Sequence, residues 1–128
     1  MDGVKILVVD DDAFIRRPLE FLLAQEGFEV RTAVDGDDCL AQLAADDRPD
    51  LILLDVMMPG KSGYDVCAEI RSEPRTATIP VMLLSARAQD EDRLRGLEVG
   101  AQEYLIKPYV PADLLEKVRA LVGLPAVG

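Results

Sequence analysis

Apolar residues recur along this chain in two alternating rhythms. Short runs at Val4-Lys5-Ile6-Leu7-Val8-Val9, Phe28 to Ala33, Leu51 to Leu54, Val81 to Leu84 and Glu103 to Ile106 are separated by longer stretches with apolar side chains every three or four positions. The pattern predicts strands near 4–9, 28–33, 51–54, 81–84 and 103–106, and helices near 13–25, 37–45, 62–72, 88–99 and 111–122. Strands and helices in strict alternation imply an α/β fold, a parallel sheet wound with helices on both sides. The third and fourth runs are continuously apolar and predict central strands, whereas Glu29-Val30-Arg31-Thr32-Ala33 alternates and belongs at an edge.

The first helix gathers Ile15, Leu19, Leu22 and Leu23 on one face and stops at Gly27; Pro18 inside it predicts a kink or a late start. The second follows Val34-Asp35-Gly36-Asp37 and carries Leu40 and Leu43. The third starts after Ser62 and buries Val66, Cys67 and Ile70. The fourth is charge-rich, contains Gly96 and has only Leu94, Leu97 and Val99 as an apolar face, so it should be the least stable. The fifth opens with Pro111, where proline is tolerated, and presents Leu114, Leu115, Val118, Leu121 and Val122. These elements fit one domain over residues 1–123, with 124–128 as a tail or linker.

Charge adds chemistry to this frame. Asp10 and Asp11, Asp55, and Lys107 each stand just beyond an apolar run. In a parallel sheet those strand ends share one edge, where open α/β sheets bind ligands. Crowded carboxylates repel unless a hard divalent cation compensates them, which points to magnesium and phosphoryl transfer. Asp12 makes a third consecutive acid, but its register puts it at the start of the first helix as a cap. The 24 acidic against 14 basic residues give a net charge of -10, which opposes direct contact with nucleic acid or anionic lipid. No apolar stretch reaches membrane-spanning length and the start lacks signal-peptide features, so the expected location is cytoplasmic. Cys39 and Cys67 read as buried thiols. The chain has no histidine, which excludes His-based triads and an internal phosphohistidine, so any phosphoryl group must come from another molecule.

Four motifs in order resemble the receiver domain of two-component response regulators, chemotaxis regulators among them. They are Val8-Val9-Asp10-Asp11; Asp55-Val56-Met57-Met58-Pro59 with Gly63; Leu83-Leu84-Ser85-Ala86; and Tyr104-Leu105-Ile106-Lys107-Pro108. The resemblance implies a flavodoxin-like (βα)5 sheet in the order 2-1-3-4-5. It implies Asp55 as phosphoacceptor, with Mg2+ held by Asp11, Asp55 and the Met57 backbone carbonyl, and Asp10 assisting directly or through water. Lys107 and Ser85 would contact the phosphoryl group, with Ser85 and Tyr104 acting as the switch. Met57 and Arg87, at positions where the family varies, would shield the acyl phosphate and slow its self-hydrolysis. The implied partners are a histidine kinase or histidine phosphotransfer protein, and a downstream effector or fused output domain. A phosphorylation-dependent homodimer would use a mixed-charge face of the fourth helix, fifth strand and fifth helix, bearing Arg93, Arg95, Glu98, Glu103, Asp113, Lys117 and Arg119. On this reading the chain is a regulatory phosphoacceptor rather than an enzyme acting on other substrates.

Two other functions are compatible with such a sheet. A magnesium-dependent phosphohydrolase with an aspartyl-phosphate intermediate would need a second acid two residues after the nucleophile, where this chain has Met57. A degenerate receiver serving only as an interaction module would not need the complete set of acids and lysine.

Overall fold

The computed structural model describes residues 3–45, 48–87 and 89–125. Five strands, β1 (Lys5–Val9), β2 (Glu29–Ala33), β3 (Leu51–Asp55), β4 (Val81–Ser85) and β5 (Glu103–Ile106), alternate with α1 (Ala13–Gln25), α2 (Gly36–Ala44), α3 (Gly63–Ser72), α4 (Asp90–Glu98) and α5 (Pro111–Leu121). All pairings are parallel and the order is β2-β1-β3-β4-β5. The boundaries lie within two residues of the sequence pattern.

Alternation along each strand divides the core in two. Leu7, Val9, Ile52, Leu54, Val81 and Leu83 face α2 and α3, packing with Cys39, Val66, Cys67 and Ile70. Ile6, Val8, Leu51, Leu53, Met82 and Leu84 face α1 and α5, packing with Leu19, Leu23, Leu114 and Val118. All residues of β3 and β4 are buried, the condition expected of central parallel strands. Fully burying each such aliphatic side chain contributes about 1.5–3 kcal/mol. Both cysteines are buried, and burial followed by the nearby Asp38 charge pushes the Cys39 thiol up to about 12.

Caps account for several boundaries. The Asp12 carboxylate accepts the Phe14 N–H at 2.9 Å and starts α1 at Ala13, so Pro18 does not delay the helix; its ring lies on the exposed side. Gly27, at φ 91°, ends that segment in a conformation costly for other residues. Ser62 and Asp65 form a reciprocal capping box at α3. At its other end Arg71 donates to the carbonyls of Gly100, Ala77 and Ile79, tying α3 to the turns around β4 and β5.

Three expectations need correction. Leu94 and Leu97 do not form an apolar face against the sheet: they are 56% and 66% exposed, and among the described residues of α4 only Gly96 is buried. The helix packs through that glycine. Arg119 does not belong to a solvated charged face either. It is buried, with Nη2 3.5 Å from Glu26 Oε1 and its guanidinium over the Phe28 ring, because its position turns toward α1. Ile15 leaves the core face of α1 and borders the cleft described next.

Candidate functional site

The ends of β1, β3 and β5 and the β4–α4 turn surround an open cleft of about 310 Å³ lined by Asp10, Asp11, Asp55, Met57, Ala86 and Lys107, among others. Register explains the convergence. Val9 pairs with Leu54 and Ser85 with Ile106, so the residues after these pairs emerge along one edge. Gly63 lets the α3 start come close to β3, since a Cβ there would sit 2.5 Å from the Asp55 carbonyl oxygen.

Carboxylate oxygens of Asp10, Asp11 and Asp55 all lie within 4.8 Å of one another. Asp10 and Asp55 are buried and Asp11 is exposed, so the cluster opens to solvent on one side. Lys107 reaches into it, with Nζ 2.9 Å from Asp55 Oδ1 and 3.3 Å from Asp10 Oδ2. Asp10 Oδ1 accepts the Asp12 N–H, and Arg16 donates to the Asp10 carbonyl at 2.8 Å, holding this first acid in place. Burial raises the Asp55 carboxyl above its ordinary range; Lys107 opposes that rise, and Asp10 and Asp11 reinforce it. For Lys107, burial acts downward but is overcome by its bonds to Asp55 and Asp10, and its ammonium is held above the usual range.

Such a donor set fits a hard divalent cation. Three carboxylates, one of them facing water, supply oxygen ligands and leave room for retained waters, as magnesium requires. Asp55, costly to ionise where it is, gains most from such a charge.

Ser85 and Tyr104 meet at one residue, Arg87, bonding the peptide groups on either side of its Cα. Ser85 Oγ accepts the Arg87 N–H at 3.0 Å, and the Tyr104 hydroxyl donates to the Arg87 carbonyl at 3.0 Å. Ser85 is fully buried at the end of β4 and Tyr104 is buried on the side of α3. The Arg87 side chain donates Nε–H to Met57 Sδ at 3.2 Å and approaches Asp92 at 3.8 Å. Sequence reasoning overlooked Tyr64, whose hydroxyl lies 3.1 Å from that of Tyr104. Its place on the apolar side of α3 resembles that of any core aromatic, and only the β5 tyrosine opposite reveals the pairing.

The family model of the response regulator receiver domain matches residues 6–119. The chain belongs to that family. It is 45% identical over 118 residues to the phosphate regulon transcriptional regulatory protein PhoB of Escherichia coli, covering 92% of this chain and 51% of that protein. It is 46% identical over 118 residues to the probable transcriptional regulator ycf27 of Cyanophora paradoxa, covering 92% and 48%. The chain thus spans about half the length of these relatives. Among solved structures, chemotaxis protein CheY4 of Vibrio cholerae matches with a TM-score of 0.87 at 33% identity, covering 92% of this chain and 98% of that one. The signal receiver domain of a histidine kinase from Syntrophus aciditrophicus matches with a TM-score of 0.88 at 32% identity, covering 94% and 91%. The receiver's parallel sheet and its order are those expected from the motifs. No helix among the described residues is long and apolar enough to cross a membrane.

Proposed function

We propose that this receiver accepts a phosphoryl group on Asp55 from a phosphohistidine donor and converts it into a changed surface at α4, β5 and α5. The observation that carries the reading is the triangle of Asp10, Asp55 and Lys107, in which one ammonium bridges two buried carboxylates beside an exposed third acid. An Asp55 carboxylate oxygen attacks phosphorus as the donor's P–N bond breaks, and the donor imidazole keeps the electron pair. Lys107 then moves from carboxylate to phosphoryl oxygen, a change suited to a mobile point charge. Ser85 keeps its oxygen on the Arg87 N–H while its proton is free to donate to the phosphoryl group.

Asp10, Asp11 and Asp55, with the Met57 carbonyl, are the proposed Mg2+ ligands. Bound there, the ion offsets the negative charge that builds up on phosphoryl transfer. Met57 at the cleft and Arg87 bonded to it would shield the acyl phosphate, and the Met57 side chain cannot orient a hydrolytic water by hydrogen bonding, so the acyl phosphate is long-lived in this proposal. Replacing Met57→Asn should speed its decay, followed as loss of the adduct; an unchanged rate counts against the shielding.

Residues 1–123 form the switching unit in this proposal. Its partners are a histidine kinase or histidine phosphotransfer protein on the input side, and an effector, attached output domain or second copy on the other. The relatives are described as transcriptional regulators. With its charge of -10, this segment would influence DNA only through an output it is joined to or docks on. The test is intact mass after incubation with acetyl phosphate. One added phosphoryl group that requires both Mg2+ and Asp55, and is absent in Asp55→Asn, is expected; an adduct that survives Asp55→Asn overturns the assignment.

A further inference from the structure

Tyr104 is held from three sides. Its hydroxyl donates to the Arg87 carbonyl and contacts the Tyr64 hydroxyl at 3.1 Å, and its ring fills a notch in α4 at Gly96. A Cβ at Gly96 would stand 3.0 Å from Tyr104 Cδ2 and 3.3 Å from Leu83 Cδ1, so any larger residue there crowds the ring. Tyr64 is itself anchored to α4: its hydroxyl reaches the Asp92 carbonyl at 3.2 Å, and the Arg95 guanidinium lies 4.5 Å from its ring centroid. Two hydroxyl protons serve these contacts. Tyr104 donates to Arg87, while Tyr64 divides its proton between Tyr104 and Asp92, so the bond between the two hydroxyls exists only while Tyr104 is buried.

We propose that Tyr64 is a positioning residue of the switch: with the Gly96 notch it holds Tyr104 buried, so that the contact between α3 and α4 sets how readily Asp55 takes a phosphoryl group. This rests on the reading of Asp55 as phosphoacceptor and extends it to two residues outside the four receiver motifs. The connection runs through one residue, Arg87. A buried Tyr104 fixes the Arg87 carbonyl, and the Arg87 N–H in turn fixes the Ser85 oxygen, leaving the Ser85 proton free for a phosphoryl oxygen. With the phosphoryl group taken in the buried arrangement, its apparent affinity scales with the buried fraction, so an interaction present only there raises affinity by as much as it raises that fraction.

The test places 3-fluorotyrosine at the chain's three tyrosines and reads Tyr104 by fluorine NMR, with signals assigned through single Tyr→Phe variants. Loss of one net hydrogen bond in Tyr64→Phe should lower the ratio of buried to exposed Tyr104 by roughly 5-fold. The affinity for beryllium fluoride with Mg2+, a phosphoryl mimic, should fall in proportion to the buried fraction of Tyr104 while the Tyr109 signal stays in place. Gly96→Ala should displace the Tyr104 signal further, although alanine favours a helix. A Tyr104 signal unmoved in both folded variants overturns the proposal, as does a moved signal with unchanged mimic affinity. Wild-type protein that binds no mimic overturns the phosphoacceptor reading instead, whatever Tyr104 does.

Discussion

β3 and α4 differ sharply in how they are held, although they sit only one strand apart across the sheet. Leu51 to Asp55 are all buried, paired on both sides by parallel strands and covered by helices on both faces. α4 has no side-chain N-cap, one buried residue and two exposed leucines; among the described residues its side-chain ties include the Tyr64 and Arg95 contacts and the approach of Asp92 to Arg87. Regions with few buried apolar contacts open at low free energy, while central strands open only with global unfolding. A group delivered at the end of β3 therefore meets a frame that hardly moves, and the helix one strand away is free to respond. On the proposed function, the receiver would join a fixed phosphoacceptor site to a loosely held α4 through the Ser85, Arg87 and Tyr104 contacts.

Four substitutions would break or sharpen that contrast. The largest effect is expected for Leu53→Ala, at a position without exposed surface. It should cost ~2–5 kcal/mol in urea denaturation, through lost burial and the cavity left behind.

Next is Asp55→Asn in metal-free buffer. Because burial raises the folded-state carboxyl, the unfolded chain releases its proton first as pH climbs, so ionising Asp55 costs the folded state. Wild-type stability should fall as pH rises from the ordinary carboxylate range through the raised one. At neutral pH with EDTA, Asp55→Asn should melt higher than wild type, and Mg2+ should narrow the gap. A variant that melts lower in EDTA would show that the Lys107 pairing outweighs the burial cost.

A cap added to α4 should then reduce the contrast. Gln89→Ser places a hydroxyl at the uncapped start of the helix and should slow exchange of its amides by up to ~5-fold, worth about 1 kcal/mol. The smallest effect belongs to Leu97→Ala, which should change unfolding free energy by less than ~0.5 kcal/mol because the side chain is already in water. A cost near that of Leu53→Ala would mean that α4 is packed as firmly as the sheet.

Elements that differ this way were also legible to different degrees. β3 and β4 were readable because burial on both faces demands an unbroken apolar run, and the acids and lysine were readable because each follows such a run. Arg119 was not, since a buried arginine on an amphipathic helix looks like a solvated one until Glu26 and Phe28 are seen beside it. Leu94 and Leu97 misled for the opposite reason: the helical period marks them as core, but α4 approaches the sheet through Gly96. Tyr64 escaped because its importance lies in a pairing with Tyr104 across forty positions of sequence.

Amide hydrogen exchange with and without acetyl phosphate and Mg2+ tests the central claim most directly. The account predicts that amides of Asp90–Glu98 exchange roughly 100-fold faster than those of Leu51–Asp55 before phosphorylation, and that of these two segments only α4 changes its rates when Asp55 carries the phosphoryl group. Equal protection in the two segments, or an α4 that does not respond to a stoichiometric phosphoryl adduct, would contradict it.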